Sequence, residues 1–276
     1  MENINFTDEY IVNESSLLLN EAGTVPLIYW PVTPNFGDEL SRWLFEKLTS
    51  RSITMSDGAE PAYVAIGSIL NRVGNQSVVW GTGSFGTEPP REVNKSAVYH
   101  AVRGPLTRSK ILSRGGKCPR IYGDPALLTP IFAPDSGKKE YEIGIAVRWS
   151  DNEWKDLSVG DGVRLIDFGS KDVERVLEEI LSCKKIITSS LHGLIVADAY
   201  GIPSAWLSSK SPKGHEYKFY DYFLSVDKVR HAHDIKLQDC ALTEKSLSQI
   251  FEFDSRAIDF DARALLDACP FLTRIS

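Results

Sequence analysis

Lys184-Lys185-Ile186-Ile187-Thr188-Ser189-Ser190-Leu191-His192-Gly193-Leu194-Ile195-Val196-Ala197-Asp198-Ala199-Tyr200-Gly201-Ile202-Pro203 joins a β-branched run to an apolar run across a single histidine. Residues 184–188 suit a strand buried on both faces of a parallel sheet. Leu194, Ile195, Ala197, Ala199 and Tyr200 are apolar nearly all round, Gly201 suits a helix-ending position and Pro203 forbids continuation. A strand, a tight turn and a short buried helix follow, which is a βα unit. In open α/β sheets ligands bind outside the carboxyl ends of the strands, where the free N–H groups of a helix N-terminus favour anions. His192 stands at that point. Two readings of it are open: a ligand-facing group, or a hydrogen-bonded packing residue beside a helix capped by Ser189 or Ser190.

The same alternation extends in both directions. Upstream, Leu27–Val32 reads as a strand leading through Asn35-Phe36-Gly37-Asp38 into a helix over 39–48, whose Leu40, Trp43, Leu44 and Leu48 share one face. Residues 62–67, 78–83 and 97–103 read as three more strands, each ending in a glycine or basic turn. Pro105 opens a further helix, and Ile121-Tyr122-Gly123-Asp124-Pro125 closes the half. Residues 129–139, rich in proline, glycine and charge, form the most convincing linker. Strands over 141–147, 163–168 and 204–207 and a helix over 171–183 complete the pattern around the histidine turn. The fold class is α/β, with two Rossmann-like halves expected at 1–135 and 136–276. Residues 1–23 show weak periodicity and suit an irregular arm or short helix.

Composition narrows the function. The 276 residues are 42% hydrophobic, enough for one large domain or two of roughly 130 residues. A net charge of −6 gives no general affinity for nucleic acid, so an anion site must be a local cluster of basic residues. Cys118, Cys183, Cys240 and Cys269 lie far apart without CxxC pairing, which suits reduced, buried thiols and a cytoplasmic protein. No apolar run approaches the roughly 18 residues that span a bilayer, and residues 1–5 lack the basic-then-apolar pattern of a signal peptide.

Several predicted strands end in small or functional residues. Glycines there let a ligand approach the backbone, although each one alone also suits a tight βα turn. The chain has no Walker A pattern, and Gly81-Thr82-Gly83-Ser84-Phe85-Gly86 departs from a dinucleotide fingerprint because Pro89-Pro90 follows at once. No G-x-S-x-G elbow occurs. His231-Ala232-His233 lacks a carboxylate or cysteine partner in sequence, so no metal site and no cofactor is expected.

Asn35-Phe36-Gly37-Asp38, Trp80-Gly81-Thr82-Gly83, Val102-Arg103-Gly104-Pro105-Leu106-Thr107, Gly123-Asp124-Pro125-Ala126-Leu127-Leu128, Ser189-Ser190-Leu191-His192-Gly193 and Lys218-Phe219-Tyr220-Asp221-Tyr222-Phe223 occur in this order over about residues 25–225. Each is weak alone, but the ordered set resembles the polysaccharide pyruvyltransferase family. The resemblance implies two Rossmann-like domains facing across a cleft, as in GT-B glycosyltransferases. It also implies transfer of pyruvate from phosphoenolpyruvate to two hydroxyls of one sugar, giving a cyclic ketal. The acceptor would be a polysaccharide or its lipid-linked repeat unit, met at the cytoplasmic membrane face by peripheral association. On this reading 1–135 is the acceptor side, with Asn35, Gly81, Thr82 and Gly83, and 136–276 is the phosphoenolpyruvate side.

Phosphoenolpyruvate carries a carboxylate and a phosphate, which call for basic forks and helix N-termini. Arg103, Arg148 and Lys218, with Ser189, Ser190, Leu191 and Gly193 of the turn, are the expected donor-binding residues. Ketal formation needs an acid and a base. His192 is the first candidate, as proton shuttle or phosphate ligand, and Asp38 the second, as a hydroxyl base or as a helix N-cap. Asp124 reads as bound to its own turn. Many family members carry an arginine just before the Leu-His pair; here that position is Ser190, so Arg103, Arg148 or Lys218 must compensate. Two rivals share parts of the pattern. A GT-B glycosyltransferase would need a nucleotide-diphosphate site in the second half. A non-catalytic carbohydrate-binding protein would use Trp30, Trp43, Trp80, Trp149, Trp154 and Trp206 as platforms, whereas most of these sit in apolar patterns that suit core packing.

Overall fold

A computed structural model describes residues 4–30, 33–148, 150–151, 157–208 and 216–275. The expected short helix near the N-terminus is α1 (Phe6–Glu9), followed by strand β1 (Tyr10–Val12). The first sheet comprises β2 (Val25–Ile28), β3 (Ile53–Met55), β4 (Ala62–Val64), β5 (Ser77–Trp80) and β6 (Val98–Ala101), all parallel, in the order β3-β2-β4-β5-β6. Parallel neighbours require crossovers. Helix α2 (Phe36–Thr49) supplies the first and buries Leu40, Trp43, Leu44, Phe45 and Leu48, while α3 (Pro105–Ser113) follows β6 with proline in its first turn. A short 3-10 turn over Pro125–Leu128 and α4 (Thr129–Phe132) close this part of the chain.

The second sheet is also parallel. Strands β7 (Tyr141–Ala146), β8 (Val163–Leu165), β9 (Cys183–Thr188) and β10 (Ser204–Trp206) run in the order β10-β9-β7-β8. Helix α5 (Val173–Leu181) connects β8 to β9, and α6 (Leu191–Ala199) connects β9 to β10. Most observed strands are shorter than the expected runs, as at Val25–Ile28 against 27–32, whereas β9 gains Cys183 from the end of the helix expected over 171–183, and β3 answers to no expected run. This is an α/β fold with two parallel sheets.

One hydrophobic cluster is shared by the two sheets. Phe36, Leu40 and Trp43 of α2 belong to it together with Phe168, Val173 and Leu177 beside α5 and Leu194 and Ile195 of α6. Phe36 and Phe168 lie with ring centroids 4.8 Å apart, and Phe36 N donates to Phe168 O at 3.0 Å. Helix α7 (Tyr217–Ser225) crosses from the second sheet to dock on α3. Past α8 (Glu244–Ile250), the chain returns to the first sheet through α9 (Ala262–Asp267) and β11 (Leu272–Arg274), which pairs antiparallel with β1. Trp80 Nε1 donates to Leu265 O at 2.9 Å, and Phe271 packs against Phe45 and Tyr63. No helix among the described residues is long and apolar enough to cross a membrane.

Candidate active site

The carboxyl ends of both sheets open onto one cleft of about 910 Å³, mouth included. Trp30 reaches it after β2, Gly67, Ser68 and Ile69 after β4, and Phe85 after β5. Arg148 enters after β7, and Ser190, Leu191 and His192 after β9. Asn35 and Asp38 come from the start of α2, and Lys218 from α7.

The histidine turn is shaped by close packing. Thr188 Oγ1 bonds Ala146 O and also accepts from Ser190 N at 3.1 Å. Gly193 rides directly over Thr188, where any Cβ would overlap the hydroxyl. Ser190 occupies the N-cap position of α6, yet its side chain makes no capping bond, and none is made by another side chain among the described residues. The first N–H groups of α6 therefore retain their capacity for an anion. Ser189, by contrast, is spent: its Oγ accepts from Arg148 N and donates to Asp151 Oδ2, both at 2.8 Å.

His192 lies between the two halves. Gly37 of α2 packs so tightly against its ring that a Cβ would overlap the imidazole, so glycine is required there. On the other edge, Nε2 is 3.7 Å from Asp124 Oδ2, and the carboxylate is fully buried. Neither atom has a hydrogen-bond partner among the described residues. Two buried, complementary, otherwise unserved atoms in ion-pair range favour the tautomer protonated at Nε2, leaving Nδ1 as the acceptor. Asp124 Oδ1 accepts from Ala126 N at 3.0 Å, the expected turn bond. Its second oxygen, facing the histidine, carried no sequence signal.

Asp38 is not the N-cap of α2. That position belongs to Asn35, whose Oδ1 accepts from Gly37 N at 3.2 Å and whose Nδ2 donates to Asp38 Oδ2 at 2.7 Å. Burial pushes the Asp38 carboxyl up to about 6, against the lowering influence of His192 and the Asn35 bond. Burial also pushes the Lys218 ammonium down to about 7, reinforced by Arg148 and Arg103. Burial lowers Arg148 as well. Two cations held below their ordinary values beside an uncapped helix end make a site that gains charge stabilisation when an anion enters.

Several expected site residues lie away from the cleft. The Arg103 guanidinium is fully buried, with Nε to Asp221 Oδ2 at 3.1 Å, Nη1 to Ser68 Oγ at 2.6 Å and Nη2 to Ser84 O at 2.7 Å. Its donors are thus committed to holding α7 against the first sheet, and it touches the cleft only through Ser68. Gly81 and Gly83 are shaped by packing: a Cβ at Gly81 would overlap Pro125, and one at Gly83 would overlap the Arg103 guanidinium. Thr82 is fully buried, its Oγ1 donating to Gly67 O at 2.8 Å. The glycines that suggested ligand approach instead allow this arginine and proline to approach. Among the tryptophans, Trp43, Trp80 and Trp206 are in the core, whereas Trp30 lines the cleft; Trp149 and Trp154 lie outside the described residues.

Among the described residues, no group of three or more His, Cys, Asp or Glu side chains is placed to hold a metal ion. His233 is engaged otherwise, with Nδ1 3.2 Å from Trp206 O and Nε2 accepting from Glu252 N at 3.0 Å.

Residues 19–211 match the family model for polysaccharide pyruvyl transferase. The chain belongs to that family. An uncharacterized protein of Acanthamoeba polyphaga mimivirus is 30% identical over 247 residues, covering 85% of this chain and 84% of its own length. The succinoglycan biosynthesis protein ExoV of Rhizobium meliloti (strain 1021) is 29% identical over 199 residues, covering 68% of this chain and 60% of that protein. A crystal structure of an uncharacterized protein from Klebsiella pneumoniae aligns with a TM-score of 0.45 at 12% identity, covering 76% of this chain and 89% of that one. The family match spans the whole histidine turn and all the strand ends of the first sheet, and it ends before Lys218.

Proposed function

We propose that the protein transfers pyruvate from phosphoenolpyruvate to two hydroxyls of one sugar in a polysaccharide or its repeat unit, forming a cyclic ketal and releasing phosphate. The observation that carries this reading is the convergence of Arg148, Lys218 and the uncapped start of α6 beside two proton-transfer groups, His192 and Asp38. The cations and helix N–H groups suit the carboxylate and phosphate of the donor. With Ser190 in place of the arginine expected before Leu191-His192, Arg148 and Lys218 supply the positive charge, and Arg103 supports them from behind.

In the proposed reaction one acceptor hydroxyl gives its proton to Asp38 and attacks C2 of the donor, while C3 takes a proton and becomes a methyl group. His192, carrying a second proton on Nδ1 as the imidazolium whose Nε2 faces Asp124, delivers that proton. The C2–O bond to phosphate then breaks, its electron pair leaving with phosphate between Arg148 and Lys218. The second hydroxyl adds to the oxocarbenium-like C2 and passes its proton to His192, restoring it, while Asp38 gives its proton to the departing phosphate. Two hydroxyl protons thus account for the new methyl hydrogen and the proton carried by the released phosphate. No cofactor beyond the donor substrate is called for.

We further propose that residues 1–135 form the acceptor side and residues 136–276 the donor side of a GT-B-like pair, the segment after Asp261 being seated on the first sheet. A cytoplasmic enzyme working on a lipid-linked repeat unit of an exopolysaccharide or capsule, by peripheral contact with the membrane face, fits the family and the absence of a spanning helix among the described residues. The test is incubation with phosphoenolpyruvate and a panel of galactosides, glucosides and mannosides. Phosphate release matched by a sugar gaining one pyruvate less one water is expected. No turnover together with tight binding of a nucleoside-diphosphate sugar would overturn the reading.

A further inference from the structure

The cleft has a second compartment. A cavity of about 660 Å³, mouth included, adjoins the first and shares Trp30, Ser68, Ile69 and Phe85 with it. The mechanism uses none of the residues that line only this compartment. Its outer wall carries Asn71, Arg72, Thr87 and Glu92, all exposed. The Arg72 guanidinium carbon lies 4.4 Å from the Trp30 ring centroid, a cation–π contact that places this side chain at the Trp30 wall of the compartment.

The chemistry of the two compartments differs. The first holds Arg148 and Lys218 and suits an anion. In the second, Glu88 is occupied, accepting from Lys110 Nζ at 2.7 Å, Phe85 N at 2.6 Å and Ser84 Oγ. What remains is one cation, one carboxylate, one amide and one hydroxyl around apolar and aromatic side chains. Balanced planar donors and acceptors beside aromatic rings suit a neutral polyol, whose hydroxyls take paired hydrogen bonds and whose C–H face packs on a ring.

We propose that this compartment is a subsite for the sugar adjoining the one that receives pyruvate, so that the protein reads an oligosaccharide rather than a single sugar. The assignment rests on the proposed acceptor being a glycan. Continuity through Trp30 and Phe85 places the neighbouring ring one compartment away from His192, and the charge difference keeps donor and glycan in register.

The test separates this inference from the reaction. Binding of glucose, cellobiose and cellotetraose, and of galactose and lactose, is measured calorimetrically on the full chain without phosphoenolpyruvate. Affinity is expected to rise at least about tenfold with length in one series, as two added hydrogen bonds and a ring contact would give. Asn71→Ala and Glu92→Ala, on exposed side chains, and Arg72→Ala are expected to remove most of that gain. In turnover assays the same variants lower the ratio of kcat/KM for the longer acceptor over the single sugar. Length-independent affinity, or a length dependence untouched by all three variants, overturns the subsite even if pyruvyl transfer occurs. Length-dependent binding lost in the variants, without pyruvyl transfer to any acceptor, upholds the subsite and overturns the reaction. Binding of inorganic pyrophosphate abolished by Arg72→Ala would make the compartment an anion site and overturn the inference.

Discussion

Asp124 Oδ2 faces His192 Nε2 at 3.7 Å across a buried gap in which neither atom has a hydrogen-bond partner among the described residues. An imidazole that must shuttle a proton benefits from a carboxylate that fixes its tautomer and stabilises its charged form. Asp124→Asn removes the negative charge and, while Oδ1 keeps accepting from Ala126 N, puts an amide N–H donor in place of Oδ2 opposite His192 Nε2, so the tautomer preference is lost as well. It is expected to lower kcat at least about tenfold and leave KM for phosphoenolpyruvate little changed, while His192→Ala loses about a hundredfold or more. An Asp124→Asn enzyme with unaltered kcat and pH profile would show that the carboxylate serves only its own turn.

Gly37→Ala tests the same histidine from its opposite edge. The added methyl must displace the imidazole, because it would otherwise overlap the ring. Alanine is a better helix former than glycine, by up to about 1 kcal/mol, and Gly37 sits in the first turn of α2. The variant is therefore expected to melt near the parent temperature and to lose activity to nearly the extent of His192→Ala. Full activity with an intact fold would mean that the position of His192 over α2 is immaterial to the reaction.

Much of this arrangement was legible in the sequence, and the exceptions have a common cause. The expected strands at 184–188 and from Leu27 were legible because a strand buried on both faces needs apolar residues on both, as at Ile186, Ile187, Leu27 and Ile28, although the observed strands start earlier, at Cys183 and Val25, and the second stops at Ile28 rather than Val32. The turn at His192 was found because a strand end, a histidine and a helix are adjacent in the chain. Arg103 looked equally exposed at a strand end. Its burial depends on Asp221, which arrives on α7 118 positions later. Trp30 suited the core by its apolar neighbours, but the chain leaves the sheet there and turns its ring to the cleft. The pairing of β1 with β11 unites the two ends of the chain, and no local pattern encodes it.

Arg103 and Asp221 supply a test of that reassignment. The pair is fully buried, and Asp221 also accepts from Thr107 N at 2.9 Å and Thr107 Oγ1 at 2.6 Å. Removing one partner leaves an uncompensated buried charge, which costs about 3–5 kcal/mol. Arg103→Met and Asp221→Ala are each expected to lower stability by that order in urea unfolding. Any loss of activity would follow the loss of folded protein. A stable Arg103→Met variant with a raised KM for phosphoenolpyruvate would instead make Arg103 a donor ligand.

Lys218 and Asp38 govern the response to pH. The folded chain holds the Asp38 carboxyl at about 6 against an ordinary 3.8, so between these values the folded state keeps a proton that the unfolded chain has lost, and stability falls as pH rises. Lys218 behaves oppositely: the folded ammonium titrates at about 7 against an ordinary 10.5, so the unfolded chain holds the extra proton between them and stability rises with pH. Lys218→Met removes a cation that is costly to bury at pH 6. The variant is expected to melt higher than the parent there, by roughly 2–4 °C for each kcal/mol recovered, and to lose the stability gain between about pH 7 and 10.5. Its KM for phosphoenolpyruvate should rise at least about tenfold, as the loss of one charge-assisted contact predicts. In the parent, kcat/KM should fall below about pH 6 as Asp38 takes a proton, and Asp38→Asn should abolish that acid limb along with most of the rate. A Lys218→Met variant that melts lower than the parent at pH 6 would mean that the ammonium stabilises the empty cleft, contrary to the burial that depresses it.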